Sequence, residues 1–173
     1  GKAGGDQITF DITFAEDMQD RYWKTLSTQD STYEMDSYMD ADGTIYSLQR
    51  KSSGGAVYLY QYSASGWKQC SSVPIQNAGF EFKLGKYGGS LYAGYFDKSS
   101  YRLKLDQWTG SSWKNVYISS VQAGSFGLSS SSDGIYLTYS DENGKNLYAC
   151  RYSSRGMETL GSRVCQGNYI SNP

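Results

Sequence analysis

Two dipeptides, Trp67-Lys68 and Trp113-Lys114, lie 46 residues apart and constrain the fold more than any other feature of the sequence. Trp23-Lys24 precedes the first of them by 44 residues, and Met157-Glu158 follows the second by 44. Between these points the chain consists of short alternating apolar runs, separated by turns rich in glycine and serine. A period of this length and make-up is typical of repeats in which each copy is a small antiparallel sheet.

The second copy of the repeat shows its strands most clearly. Phe80, Phe82 and Leu84 alternate with charged residues, which predicts a strand with these three side chains on one face. Gly88-Gly89 predicts a tight hairpin turn, because glycine reaches positive φ without steric cost. Further strands are predicted at 91–96 and 103–108, with a short fourth one beginning at Trp113.

The repeat predicts an all-β fold, a β-propeller of four blades that are mostly four-stranded and antiparallel, within a single domain spanning residues 1–173. The blade repeats cover roughly 31–70, 78–118 and 124–161, and a closing blade combines 6–26 with 166–173, so that both termini share one sheet. Such closure removes exposed strand edges. A monomer is the preferred state, and the alternative is an open half-ring completed by a second chain.

The segment from Leu91 to Tyr95, followed by Gln107-Trp108-Thr109-Gly110-Ser111-Ser112-Trp113, resembles the propeller repeats of secreted bacterial proteins. It is similar, more distantly, to the blades of six-bladed fucose-binding lectins. The resemblance implies a secreted or cell-surface location. In the lectins, an Arg, a Glu and a Trp on neighbouring blades bind the sugar, and Arg102 and Arg151 match that pattern only loosely.

Composition excludes several classes of function. Sixteen Lys and Arg residues against 17 Asp and Glu leave a formal net charge of −1, and no basic run exists to bind nucleic acid. No apolar run approaches the roughly 18 residues that a membrane-spanning helix needs. The chain has no histidine, no CxxC spacing and no phosphate-binding glycine motif, so that no cofactor and no metal site are predicted.

Carboxylates remain as candidate catalytic groups. Glu34 and Glu81 occupy equivalent places on successive inner strands, which line the central channel of a propeller. One interpretation is a glycosidase acid/base pair. The other is a pair of solvated side chains in a water-filled channel, and the sequence favours this second interpretation.

The repeat also predicts ligand-binding positions on one face. Glutamines follow each Trp or Met of the repeat, on the crossings from one blade to the next, where propellers commonly bind ligands. The candidates on this face are Gln29, Gln76, Gln122, Gln166, Asp97 and Asp141. The structural alternative is that each amide ties its crossing to neighbouring backbone, as a residue present in every repeat often does.

These observations predict a non-enzymatic binding propeller, secreted or exposed at the cell surface, whose ligand is a glycan or a protein. The first alternative is a glycoside-processing enzyme, or a fragment of one, that uses Glu34 and Glu81. The second alternative is a structural assembly module.

Overall fold

The computed structural model of the protein describes the backbone of residues 32–166 and the side chains of residues 32–161. This part of the chain is all-β and antiparallel, and no helix occurs in it. Consequently, nothing between residues 32 and 166 forms an apolar helix of membrane-spanning length. The predicted closing blade, 6–26 with 166–173, lies outside the described residues apart from Gln166, and so do Trp23 and Gln29.

Four strands form the first sheet, in the order in which they occur along the chain: β1 (Glu34–Met39), β2 (Ile45–Arg50), β3 (Val57–Ser63) and β4 (Gly66–Gln69). Seven more strands follow: β5 (Ala78–Tyr87), β6 (Ser90–Asp97), β7 (Arg102–Trp108), β8 (Trp113–Ser131), β9 (Gly134–Asp141), β10 (Asn146–Ser153) and β11 (Gly156–Gln166).

Strand β8 belongs to two successive sheets. It pairs with β7 from Trp113 to Gln122, and with β9 from Ala123 onward. The sequence predicts a break between the repeats 78–118 and 124–161, whereas the backbone stays extended across the crossing. A register shift between Ala123 and Ser125 marks the point where the strand changes partners.

The turns follow the glycine pattern. Gly88 and Gly89 have φ values of 56° and 80° and leave Tyr87 paired with Ser90, which makes the two-residue hairpin that the sequence predicts. The alternation in β5 is different from the prediction. Phe82 and Leu84 are buried, but Phe80 is 73% exposed, because the pairing of β5 with β6 shifts register between Ala78 and Phe82.

The core consists of two apolar layers between successive sheets. The first joins β2 and β3 to β5 and β6, with Leu48, Leu59 and Phe82 at its centre. The second joins β6 and β7 to β8, β9 and β10, around Leu105 and Leu137. Strand β6 contributes to both layers, so the sheet from β5 to β8 buries apolar side chains on both of its faces.

Polar bonds also join neighbouring sheets. The fully buried Arg50 donates one hydrogen bond to Glu34 and others to the carbonyls of Ala78 and Gly79, at the start of β5. An Asp36 carboxylate oxygen accepts a hydrogen bond from the amide of Leu84 at 2.6 Å. These bonds fix β5 against β1, and thereby fix the position of the carboxylates at the ends of both strands.

Candidate functional site

The crossings between sheets and the turn between β6 and β7 lie on one face of the molecule, and two of the predicted glutamines are on it. Gln122 is exposed, and its side-chain amide donates to the Ser100 carbonyl at 3.4 Å. Gln76 is exposed, with no side-chain hydrogen bond to any described residue. Gln166 ends β11 opposite Asn146, and its side chain is not described. The contact of Gln122 is of the loop-tying kind, and ligand binding by the glutamines stays a prediction.

Asp97 and Asp141 anchor the turns in which they lie. Asp97 is 2% exposed and accepts hydrogen bonds from the amides of Ser99 and Ser100, and from the Lys104 ammonium at 2.6 Å. Burial on its own raises the pKa of Asp97, but these bonds outweigh it and hold the pKa well below its usual value. The carboxylate of Asp97 therefore anchors its turn, a structural role that the sequence did not indicate.

Asp141 makes the equivalent contacts one sheet later, with the backbone amides of Lys145 and Asn146. Burial again acts to raise the pKa of Asp141, and the bonds from Asn146 and Lys145 lower it below its ordinary value. Both aspartates thus form the capped turns that Asp favours. Ligand binding by either of them stays a prediction.

A cavity of about 540 Å³ opens on the same face between the start of β5 and the β6–β7 turn. Its aromatic wall consists of Phe80, Phe96 and Tyr101, and Glu81 and Lys98 supply charge beside it. Phe80 and Tyr101 are 73% and 62% exposed, respectively. We call this the crossover cavity.

Tyr101 has an unusual backbone conformation. Its φ is 54°, in the left-handed region that bulky residues rarely adopt. Two backbone bonds hold it there: its amide donates to the Asp97 carbonyl, and its carbonyl accepts from the amide of Ala123. A conformation that costs about 1–2 kcal/mol for a non-glycine residue is typical of functional sites. It turns an exposed aromatic ring to the mouth of the crossover cavity.

The two glutamates predicted as a pair lie in the first strands of neighbouring sheets, Glu34 in β1 and Glu81 in β5. Burial raises the pKa of Glu34, Arg50 lowers it, and the charge on Glu81 raises it further. Burial also raises the pKa of Glu81, against a smaller opposing effect of Lys83. A carboxylate oxygen of Glu34 lies 3.0 Å from the guanidinium of Arg50. Glu81 lines the crossover cavity, and its carboxylate is more loosely paired, with an oxygen 4.0 Å from the Lys83 ammonium. A carboxyl group with a raised pKa at a cavity is suited to proton transfer or to hydrogen bonding with hydroxyl groups.

The arginines and tryptophans of the sequence analysis have structural contacts. Arg102 donates to the Ser119 carbonyl, and Arg151 forms ion pairs with Asp133 and Glu158. Trp113 packs on Trp108, with ring centroids 5.1 Å apart. Among the side chains of residues 32–161, no group of three or more Cys, Asp or Glu residues is arranged to hold a metal ion.

Sequence reasoning did not find the aromatic wall. Phe80 fits the apolar alternation of β5 and is therefore predicted to be buried with Phe82. A β-bulge turns its side chain outward instead, and the neighbouring Gly79 is the one sequence feature that indicates this bulge. A Cβ at Gly79 would lie 2.9 Å from the Phe96 carbonyl, so the absence of a side chain allows the close approach. Tyr101, at the end of a Ser-rich turn, could have been identified as an exposed aromatic.

No protein-family model matches the sequence, and no curated protein does. Two similar solved structures are α-L-arabinofuranosidases of glycoside hydrolase family 93 from Fusarium graminearum. The complex with arabinobiose has a TM-score of 0.55 and 13% identity, covering 80% of this chain and 50% of the enzyme. The complex with an iminosugar inhibitor has a TM-score of 0.56 and 12% identity, covering 84% and 52%.

The fold is a β-propeller. The all-β propeller that the sequence predicts is thereby confirmed, and the number of blades and the closing blade stay predictions. The propeller described here spans about half the length of the two enzymes. At 12–13% identity the likeness extends to the fold alone.

Proposed function

We propose that this propeller binds a glycan in the crossover cavity. The observation that carries the proposal is the pairing of two exposed aromatic rings, Phe80 and Tyr101, with the carboxyl group of Glu81 in one concave site. Aromatic faces pack against the C–H faces of sugar rings, and carboxylates accept hydrogen bonds from sugar hydroxyl groups. The similarity to propellers whose solved complexes contain arabinobiose and an iminosugar inhibitor supports a saccharide as the ligand.

The direct test is a glycan-array screen followed by calorimetry with Phe80→Ala and Tyr101→Asn. Each substitution removes one aromatic face, and we expect each to weaken binding by about tenfold, the loss that stacking interactions of this kind commonly cause. Ile118→Ala is the matched control, because Ile118 is another exposed apolar residue and lies outside the cavity. Glycan binding that survives both cavity substitutions would refute the proposal.

Gln76→Ala and Gln122→Ala test the predicted role of the glutamines in the same assay. If the amides touch the ligand, both substitutions weaken binding while the melting temperature stays unchanged. A loss of stability without a loss of affinity would assign Gln122 to its bond with Ser100 instead.

A second candidate function is glycoside hydrolysis by Glu34 and Glu81. The specific observations in its favour are that Glu81 lines the crossover cavity and that burial raises the pKa of both carboxyl groups. In this mechanism Glu81, at the cavity, protonates the leaving oxygen as the glycosidic C–O bond breaks, and Glu34 as a carboxylate takes a proton from the water that attacks the sugar carbon. Arg50 opposes the rise in the pKa of Glu34 that burial causes. Reducing-sugar release from arabino-oligosaccharides is the assay.

The two candidates predict different effects of Glu81→Gln. Hydrolysis requires its acidic proton, so the substitution would abolish turnover and preserve binding. If the protein only binds the glycan, the wild-type protein releases no reducing sugar at any pH. Glu81→Gln then has no turnover to remove, and its amide oxygen still accepts a hydrogen bond. Secretion, a monomeric state and the assembly-module alternative stay predictions, and solution mass tests the last two.

A further inference from the structure

A second concave surface, larger than the crossover cavity, lies between the first sheet and strands β5–β8. Its volume is about 750 Å³, and it shares no lining residue with the crossover cavity. Gln61 and Lys68 from the first sheet and Gln107 and Lys114 from the next all line it. We call it the interblade groove.

These four residues are two copies of one cross-strand pair in the repeat. Gln61 pairs with Lys68, Gln107 pairs with Lys114, and the third pair of the series is Arg151 with Glu158. In the third pair, the Arg151 guanidinium lies 2.7 Å from the Glu158 carboxylate, so the position is neutralised within the sheet. In the first two pairs a glutamine stands at the position of Arg151 and a lysine at the position of Glu158, so the lysine has no charged partner within the pair.

The interblade groove therefore carries positive charge that no acidic side chain among residues 32–161 neutralises. Lys68 and Lys114 are exposed, and neither forms an ion pair with a described residue. A third ammonium group in the groove, that of Lys86, is paired with Asp40. None of the residues lining the groove is an Asp or a Glu. Two ammonium groups without an acidic partner in the lining of one concave site favour an anionic ligand.

The remaining lining narrows the chemistry of that ligand. Trp108 lies in the wall of the groove, partly buried and supported by Trp113. The Gln107 amide donates to Ser90 at 3.1 Å, which orients its carbonyl oxygen as an acceptor. An aromatic face, oriented amides and ammonium groups together fit a ring with one apolar face, several hydroxyl groups and an oxyanion.

We propose that the interblade groove binds an acidic saccharide, with its carboxylate or sulfate between Lys68 and Lys114 and a sugar ring against Trp108. The inference does not rest on the crossover cavity, because the two sites share no residue. The groove is distinguished by comparing the copies of the repeat, since the first two carry a Gln-Lys pair where the third carries the ion pair of Arg151 with Glu158.

The test is calorimetry with three probes: trigalacturonate, the neutral galactotriose and sodium sulfate. We expect trigalacturonate to bind, and Lys68→Gln and Lys114→Gln each to weaken it by about tenfold, the usual loss for a charge-assisted hydrogen bond. Lys145→Gln is the matched control, since Lys145 is also exposed but lies outside the groove. Raising NaCl from about 50 to about 500 mM should weaken binding, because exposed charges are screened.

Several outcomes would overturn the inference. Equal binding of trigalacturonate and galactotriose would exclude recognition of the charge, and equal binding of sulfate would reduce the groove to a nonspecific anion site. Insensitivity to both lysine substitutions, in variants with an unchanged circular dichroism spectrum, would place the ligand elsewhere. Phe80→Ala separates the two sites: trigalacturonate affinity that survives it supports the interblade groove, whereas loss on Phe80→Ala alone assigns the ligand to the crossover cavity.

Discussion

Replacing Asp97 with alanine distinguishes a turn anchor from a ligand-binding residue. The carboxylate is 2% exposed and accepts hydrogen bonds from two backbone amides, two serine hydroxyl groups and Lys104. Asp97→Ala leaves the amides of Ser99 and Ser100 without their acceptor and the ammonium group of Lys104 without its counter-ion. The variant should therefore lose stability whether or not a ligand is present.

The size of the effect follows from burial. Breaking a buried ion pair costs about 3–5 kcal/mol, and the lower end applies here because the Lys104 side chain is 25% exposed and can turn to water. Asp141→Ala is the matched control, because Asp141 lies in the equivalent turn but is less buried and forms no ion pair with a described lysine. We expect this substitution to lower the free energy of unfolding by about 1 kcal/mol. With a urea dependence of about 2 kcal/mol per molar, the midpoints should fall by about 1.5 M and about 0.5 M.

The pH dependence gives an independent check. Because the pKa of Asp97 is lowered in the folded protein, its contribution to stability is present above the ordinary pKa of an aspartate and is lost as the pH falls through the folded value. The difference between wild type and Asp97→Ala should therefore shrink in acid. Urea denaturation followed by tyrosine circular dichroism measures it. Unchanged midpoints for Asp97→Ala, together with lost glycan affinity, would refute the structural assignment.

Three further predictions follow from single contacts. Tyr101→Gly should keep or raise the melting temperature while weakening glycan binding by about tenfold, since glycine relieves a left-handed conformation that costs tyrosine about 1–2 kcal/mol and also removes the ring. Glu81→Gln should stabilise the protein at neutral pH and not in acid, because burial raises the pKa of Glu81 and its contribution is lost as the pH rises through the folded value; equal effects at both pH values in urea titrations would contradict this. Gly134→Ala should cost about 1–3 kcal/mol in thermal unfolding, since its Cβ would lie 2.5 Å from the Tyr152 carbonyl; an unchanged melting temperature would contradict the close approach.

Local features of the sequence predicted much of the fold. Alternating runs and glycine-marked turns predict antiparallel hairpins, and the spacing of Trp67 and Trp113 predicts their repetition, because the side-chain period of a strand and the backbone freedom of glycine are properties of short segments. The same spacing placed Glu34 on β1 and Glu81 on β5, the first strands of successive sheets, and their pairing as an acid and a base stays a prediction.

Contacts between strands that are distant in sequence decided the rest. Phe80 follows the alternation of a buried strand, yet a register shift against β6 turns it to solvent. Arg50 is fully buried, and its two terminal nitrogens donate to Glu34, from another strand, and to two carbonyls at the start of β5. The interblade groove is positively charged because the two sheets that form it are those that carry Lys68 and Lys114. Sequence periodicity determines each sheet on its own, whereas the burial and pairing of polar side chains depend on neighbours that are 16 to 48 residues away and that only the packed structure brings together.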